Sequence, residues 1–155
     1  MHLPDYIDND RHNLEEVLRA LILDHSEREL DIATGFFQPE VWTRLQSSFS
    51  QLDSLRLLIG RDPSIRPAEH DRIDLKQFYR RSIQEQLEGQ NFNLKYKQLI
   101  NSLIDFLKGD HIQVRLYGGA EGTRAKFLHA KAYIFSYNSI IGSSNLTPSG
   151  LSGNT

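Results

Sequence analysis

The chain has 155 residues, of which 39% are hydrophobic, 25% charged and 10% aromatic. This composition suits a folded domain and excludes a disordered or collagen-like chain. No cysteine is present, which excludes a disulfide framework, a thiolate metal centre and a cysteine nucleophile. The 18 basic and 20 acidic side chains leave a net charge of −2, unevenly spread: residues 1–35 carry 3 basic and 9 acidic groups, and residues 108–131 carry 5 and 2. Such a balance argues against a general nucleic-acid coat protein and leaves room for one local anion site in the second half. No apolar run is long enough to span a membrane, and the opening MHLPDYIDND lacks the basic start and apolar stretch of a secretory signal. A cytoplasmic protein of one domain, residues 1–155, is expected.

In chain order, Asn13 followed by Glu16 resembles a capping box, and Leu14, Val17, Leu18, Leu21 and Ile22 repeat with helical spacing, predicting a helix over 13–25. Leu30 to Phe37 reads as a short strand with Gly35 near its end. Pro39 suits the first turn of a helix over 39–50 that carries Val41, Trp42, Leu45 and Phe49. Leu55 to Ile59, closed by Gly60, reads as a buried strand, and Arg61 to Glu69, with Pro63 and Pro67, as a loop. Two helical patterns follow, over 71–88 (Leu75, Tyr79, Ile83, Leu87) and 93–108, the second stopped by Gly109. Ile112 to Tyr117 alternates as a strand, and Gly118 to Lys126 is a polar loop. Leu128 to Phe135 is a further strand, with Ser139 to Ser144 as its hairpin partner, before a small polar tail from Leu146. The order of elements predicts an α/β sandwich with a mixed sheet.

The chemistry concentrates in Phe127 to Phe135 (FLHAKAYIF) and Gly142 to Asn145 (GSSN). Alternation along a strand places His129, Lys131, Tyr133 and Phe135 on one face, with His129 and Lys131 about 6.5–7 Å apart, a spacing that a single phosphate bridges. In the paired strand Ser143 and Asn145 would share a face, and Gly142 would permit close backbone approach. An imidazole, an ammonium, a hydroxyl and an amide form a set suited to phosphoryl transfer: a nucleophile or proton carrier, a charge to neutralise phosphate, and positioning groups. A lone strand histidine is more often a packed residue and a lone lysine a solvated edge group; it is their combination with Ser143 and Asn145 that favours a site. Arg124 and Lys126 could guide a polyanionic backbone towards His129, or form a solvated basic loop. His2, His12, His25 and His70 show no metal-ligand spacing, His111 reads as a surface residue, and Gly118 to Gly122 lacks the Gly-Lys-Ser/Thr of a nucleotide-binding loop.

His-x-Lys followed by Gly-Ser-x-Asn resembles the HKD motif of the phospholipase D superfamily, and FLHAKAYIF with IIGSSNLTPSGL is similar to phospholipase-D-like domains fused to bacterial helicases and restriction-type proteins. The resemblance covers about 25 residues, Phe127 to Leu151. It implies a phospholipase-D-like α/β sandwich with a single HKD half-site, and a metal-independent phosphodiesterase needing no cofactor. His129 would be nucleophile or acid, Lys131 and Asn145 phosphate ligands, and Ser143 a positioning group. Because family sites use two facing motifs and this chain holds one, the resemblance implies a homodimer. It further implies DNA as partner, no membrane, and a parent helicase whose ATP-dependent motor would lie outside this chain, which would then be a piece of a longer protein. The chain departs from the motif at Ser136, where the family carries an aspartate often described as supporting the turn, and the hairpin is one residue shorter than usual. That departure favours an alternative, a catalytically degenerate module that binds DNA or dimerises. A lipid phosphodiesterase is the weaker reading, because no membrane-facing amphipathic stretch is visible.

Overall fold

The computed structural model describes residues 4–8, 11–24, 27–60, 94–117 and 128–153. The first helix, α1 (Leu14–Leu23), starts where the sequence placed its cap, with the Asn13 side chain accepting from the Glu16 N–H at 2.9 Å. The five apolar residues that set its periodicity are all buried, each worth about 1.5–3 kcal/mol of apolar burial. The chain continues through β1 (Glu29–Thr34), α2 (Val41–Phe49), β2 (Ser54–Gly60), α3 (Leu94–Leu107), β3 (Ile112–Tyr117), β4 (Lys131–Ile134), β5 (Ser139–Ile141) and the short α4 (Pro148–Ser152). The protein is thus an α/β structure with a mixed, open, five-stranded sheet ordered β3-β2-β1-β4-β5. β1, β2 and β3 run parallel, whereas β4 is antiparallel to β1 and β5 antiparallel to β4.

Strand alternation decides which side chains enter the core. Leu30, Ile32, Leu55, Leu57, Ile59, Ile112 and Tyr133 point to the face that receives α1 and α2, where Val41, Trp42, Leu45 and Phe49 complete the cluster. Trp42 also binds α3, stacking on Phe106 with centroids 4.4 Å apart and donating from its indole N–H to Ser102 Oγ at 3.0 Å. All the described helices pack on this one face. Along the opposite face run Arg56 and Asp31, side by side in register and joined as an ion pair, and no described helix covers them. No described helix is long and apolar enough to cross a membrane.

The three longer helices are each trimmed at both ends relative to the sequence prediction, and three strands are shorter than predicted, each for want of a partner. β1 stops at Thr34 because the chain leaves the ladder there; Phe37 instead forms an isolated bridge with Leu146. β4 begins at Lys131 rather than Leu128 because Lys131 lies opposite Thr34, the last residue of β1. β5 ends at Ile141 because the Gly142 N–H bonds the carbonyl of Lys131, where β4 itself starts. The tail read as irregular contains α4, capped by the Thr147 hydroxyl, which accepts from the Gly150 N–H at 3.1 Å, with Pro148 in the first turn. The predicted loop 61–69, helix 71–88 and loop 118–126 lie outside the described residues.

Candidate anion site at the ends of β1 and β4

The parallel strands end together at Thr34, Gly60 and Tyr117, and β4 starts beside them at Lys131. Clefts at the carboxyl ends of parallel strands are the usual ligand positions of open α/β sheets. The strand ends close up there: a Cβ on Gly60 would lie 2.6 Å from the Gly35 carbonyl oxygen, so neither backbone leaves room for a side chain.

Pairing with Thr34 turns Lys131 to the inner face, where its side chain is only 6% exposed. Its ammonium donates to the carbonyl of His129 at 3.0 Å. That is one bond for a group with three donors, and no carboxylate pairs with it among the described residues. A buried ammonium without a counter-charge is costly unless something anionic joins it. The same contact ties His129, an exposed residue just ahead of β4, to Lys131 through the backbone.

Asn145 arrives from the loop after β5. Its Oδ1 accepts the Phe36 N–H at 3.2 Å and lies 3.3 Å from the Thr34 hydroxyl. Those contacts turn the amide oxygen into the protein. No described group accepts from the NH₂; the contacts of this side chain are confined to the Oδ1 side of the amide. Gly35 brings the two groups together: a Cβ there would sit 3.3 Å from Asn145 Oδ1, 3.9 Å from Lys131 Nζ and 2.9 Å from the Leu128 carbonyl oxygen. The bare Cα of Gly35 is what lets the end of β1 and the segment before β4 pack this closely beside the ammonium and the amide.

Supports surround Asn145. Thr34, fully buried, donates to the Phe36 carbonyl at 2.7 Å and accepts the Leu146 N–H at 3.1 Å. Tyr133 donates its hydroxyl to the Ser144 carbonyl at 2.9 Å. Burial pushes the Tyr133 phenol far above the ordinary tyrosine range, so it acts as a fixed neutral donor. Arg44 reaches from α2 to the Pro148 carbonyl at 3.2 Å and Ser152 Oγ at 3.1 Å, anchoring α4.

The structure therefore gathers Lys131 and Asn145 around Gly35. His129 is not on the strand with Lys131 as alternation predicted: β4 starts at Lys131, and the exposed His129 precedes it and meets Lys131 through its backbone carbonyl. Nor does the structure put Ser143 and Asn145 on a common strand face, because β5 ends before either. Ser143 is exposed and lines a separate cavity of about 590 Å³ with Tyr6, Asp8, Leu14 and Ser144. Arg124 and Lys126 lie outside the described residues, and His111 is exposed at the opposite end of the sheet, as a surface histidine should be. Among the described residues no cluster of histidine and acidic side chains could hold a metal ion. Thr34, Gly35 and Tyr133 belong to the site's framework without having stood out in the sequence as site residues. Comparison with known protein families and with curated proteins finds no match to this chain.

Proposed function

We propose that this chain is a phospholipase-D-like, metal-independent phosphodiesterase module that acts on DNA, completed by homodimerisation and belonging to a helicase-type protein. The observation that carries the reading is the buried Lys131 ammonium, which has no described carboxylate partner and lies beside the Asn145 amide at the bare backbone of Gly35. A phosphodiester oxygen would supply the counter-charge and acceptor that these two donors lack. DNA and the helicase connection rest on the sequence resemblance and on the basic balance of residues 108–131.

In the proposed reaction a ring nitrogen of His129 attacks phosphorus. The N–P bond forms as the P–O bond to the leaving group breaks, with Lys131 and Asn145 holding the non-bridging oxygens as charge builds on them. The second copy's histidine protonates the departing oxygen. Water then attacks phosphorus, gives its proton to that same histidine, and releases His129 with the phosphate product. An isologous two-fold interface supplies both histidines from one gene product.

The test is cleavage of DNA in EDTA by wild type and His129→Ala, with oligomeric state read from the same sample. Cutting by a wild-type dimer that is lost in the variant supports the enzyme. DNA binding retained by a folded dimer that never cuts supports the degenerate module that Ser136 suggests.

A further inference from the structure

Glu27 is the most buried charged side chain among the described residues, with no solvent exposure. No described lysine or arginine pairs with it. Its partners lie in the β4–β5 turn: the Tyr137 N–H approaches both carboxylate oxygens, at 3.2 and 3.1 Å, and Asn138 Nδ2 donates at 2.5 Å. The turn is closed on its other side by the Phe135 N–H on the Asn138 carbonyl at 2.8 Å. A carboxylate is tolerated away from water only when donors satisfy its oxygens. The turn is therefore held where it can reach Glu27.

That constraint acts on the site from the far end of β4. Glu27 lies two residues before the start of β1, and β1 pairs with β4 so that Asp31 faces Ile134 and Thr34 faces Lys131. A slip of one residue along this pair would turn every β4 side chain to the other face. Lys131 would leave the inner face, and its ammonium would move away from Gly35 and Asn145. β4 has only four residues, of which Tyr133 faces the core and favours this register, and an anchor at its end adds to that preference.

We propose that Glu27 is a positioning residue: by holding the Tyr137–Asn138 turn it fixes the β4 register that places Lys131, and it brings to that turn from the head of β1 the carboxylate that Ser136 does not provide. The anion site itself rests on the functional reading above; the register role does not.

The experiment compares the full chain with Glu27→Gln and with Glu27→Gln/Ser136→Asp. An aspartate at 136 can accept the N–H two residues on, which gives the turn a local substitute. Three quantities are read by NMR: exchange of the Tyr137 amide, cross-strand NOEs between Thr34 and Lys131, and the affinity for inorganic phosphate. In Glu27→Gln the amide exchanges about tenfold faster or more, as loss of a charge-assisted bond implies. The cross-strand NOEs weaken and phosphate binds several-fold less tightly, and Ser136→Asp, which bonds the Asn138 N–H and not that of Tyr137, restores these last two. Fast exchange with unchanged NOEs and phosphate affinity overturns the proposal, because Glu27 is then a local turn brace only. A wild type that binds no phosphate overturns the anion reading, and the NOEs then decide Glu27 on their own. Should Glu27→Gln fail to fold, Asn138→Ala removes one donor. A smaller shift in the same direction supports the role, and none overturns it.

Discussion

Thr34 Oγ1 and Asn145 Oδ1 lie 3.3 Å apart although 111 positions separate them in the chain. Through this contact the last residue of β1 and the loop after β5 share one hydrogen-bond cluster, to which Phe36 and Leu146 contribute backbone groups. Because the Phe36 N–H needs an acceptor, the amide oxygen is the atom turned inward, and the NH₂ becomes the group left for a ligand. The side chain most exposed to the proposed chemistry is thus oriented by one that is fully buried.

Thr34→Val tests that relationship. Valine keeps the volume and removes the hydroxyl, so the Leu146 N–H loses its acceptor. A buried donor left unpaired costs about 1–3 kcal/mol. Urea denaturation should show a lower midpoint with an unchanged slope, the mark of lost stability without altered compactness. Phosphate affinity should fall as well, since Asn145 keeps only the Phe36 N–H of its two contacts; a variant of wild-type stability would show that the cluster is not built as described.

Lys131→Met separates stability from function. Methionine has a similar length and fills the same inner-face position without a charge. Removing a buried, unpaired ammonium should leave the melting temperature unchanged or raise it, as replacement of buried charge by apolar groups often does. Phosphate binding and any EDTA-resistant cleavage should disappear. A large drop in melting temperature would show instead that the ammonium is paired in the free protein.

Gly150 sets where Asn145 can lie. A Cβ at 150 would come 2.1 Å from the Asn145 carbonyl oxygen, a backbone atom that cannot swing aside. That carbonyl also accepts the Thr147 N–H at 2.9 Å, so α4 and the Asn145 loop move together. Gly150→Ala should cost about 1–3 kcal/mol by overpacking and weaken phosphate binding. Gly142→Ala is the control, because a Cβ there meets nothing within 4 Å. Equal melting temperatures for the two variants would contradict this arrangement.

Much of this architecture could be read from residue patterns. Period-2 and period-3.6 spacing located the described strands and the three longer helices, because each buries one face against a common core. Lys131 and Asn145 were legible as neighbours because their spacing puts them on either side of a hairpin. Thr34 and Gly35 were not, since their role depends on a partner more than 100 positions away. Glu27 is one of nine acidic residues among the first 35 and nothing in its own spacing marks it; its partners come from the β4–β5 turn, more than 100 positions on. The Thr147-Pro148 pair did carry a helix-start signal, but the small polar residues around it read as irregular tail. Strand ends were overextended because pairing stops where the neighbouring strand stops, which one strand's own residues do not encode.

Alkaline pH offers a check on the core beneath the site. The buried Tyr133 phenol has its pKa raised by desolvation, while in the unfolded chain a tyrosine titrates near its reference value of about 10. Below that value both states keep the proton and the group has no effect on stability's pH dependence. Above it the unfolded chain releases a proton that the folded protein retains. The unfolded state then binds fewer protons, so stability falls as pH rises. Tyr133→Phe removes this titration together with the bond to the Ser144 carbonyl. The variant should be less stable than wild type at pH 7, by about 0.5–1.5 kcal/mol for the lost hydrogen bond, with a shallower decline between pH 10 and 12. Denaturation midpoints measured across that range decide the matter: parallel declines in the two proteins would mean that Tyr133 ionises as freely in the folded state as in the unfolded chain.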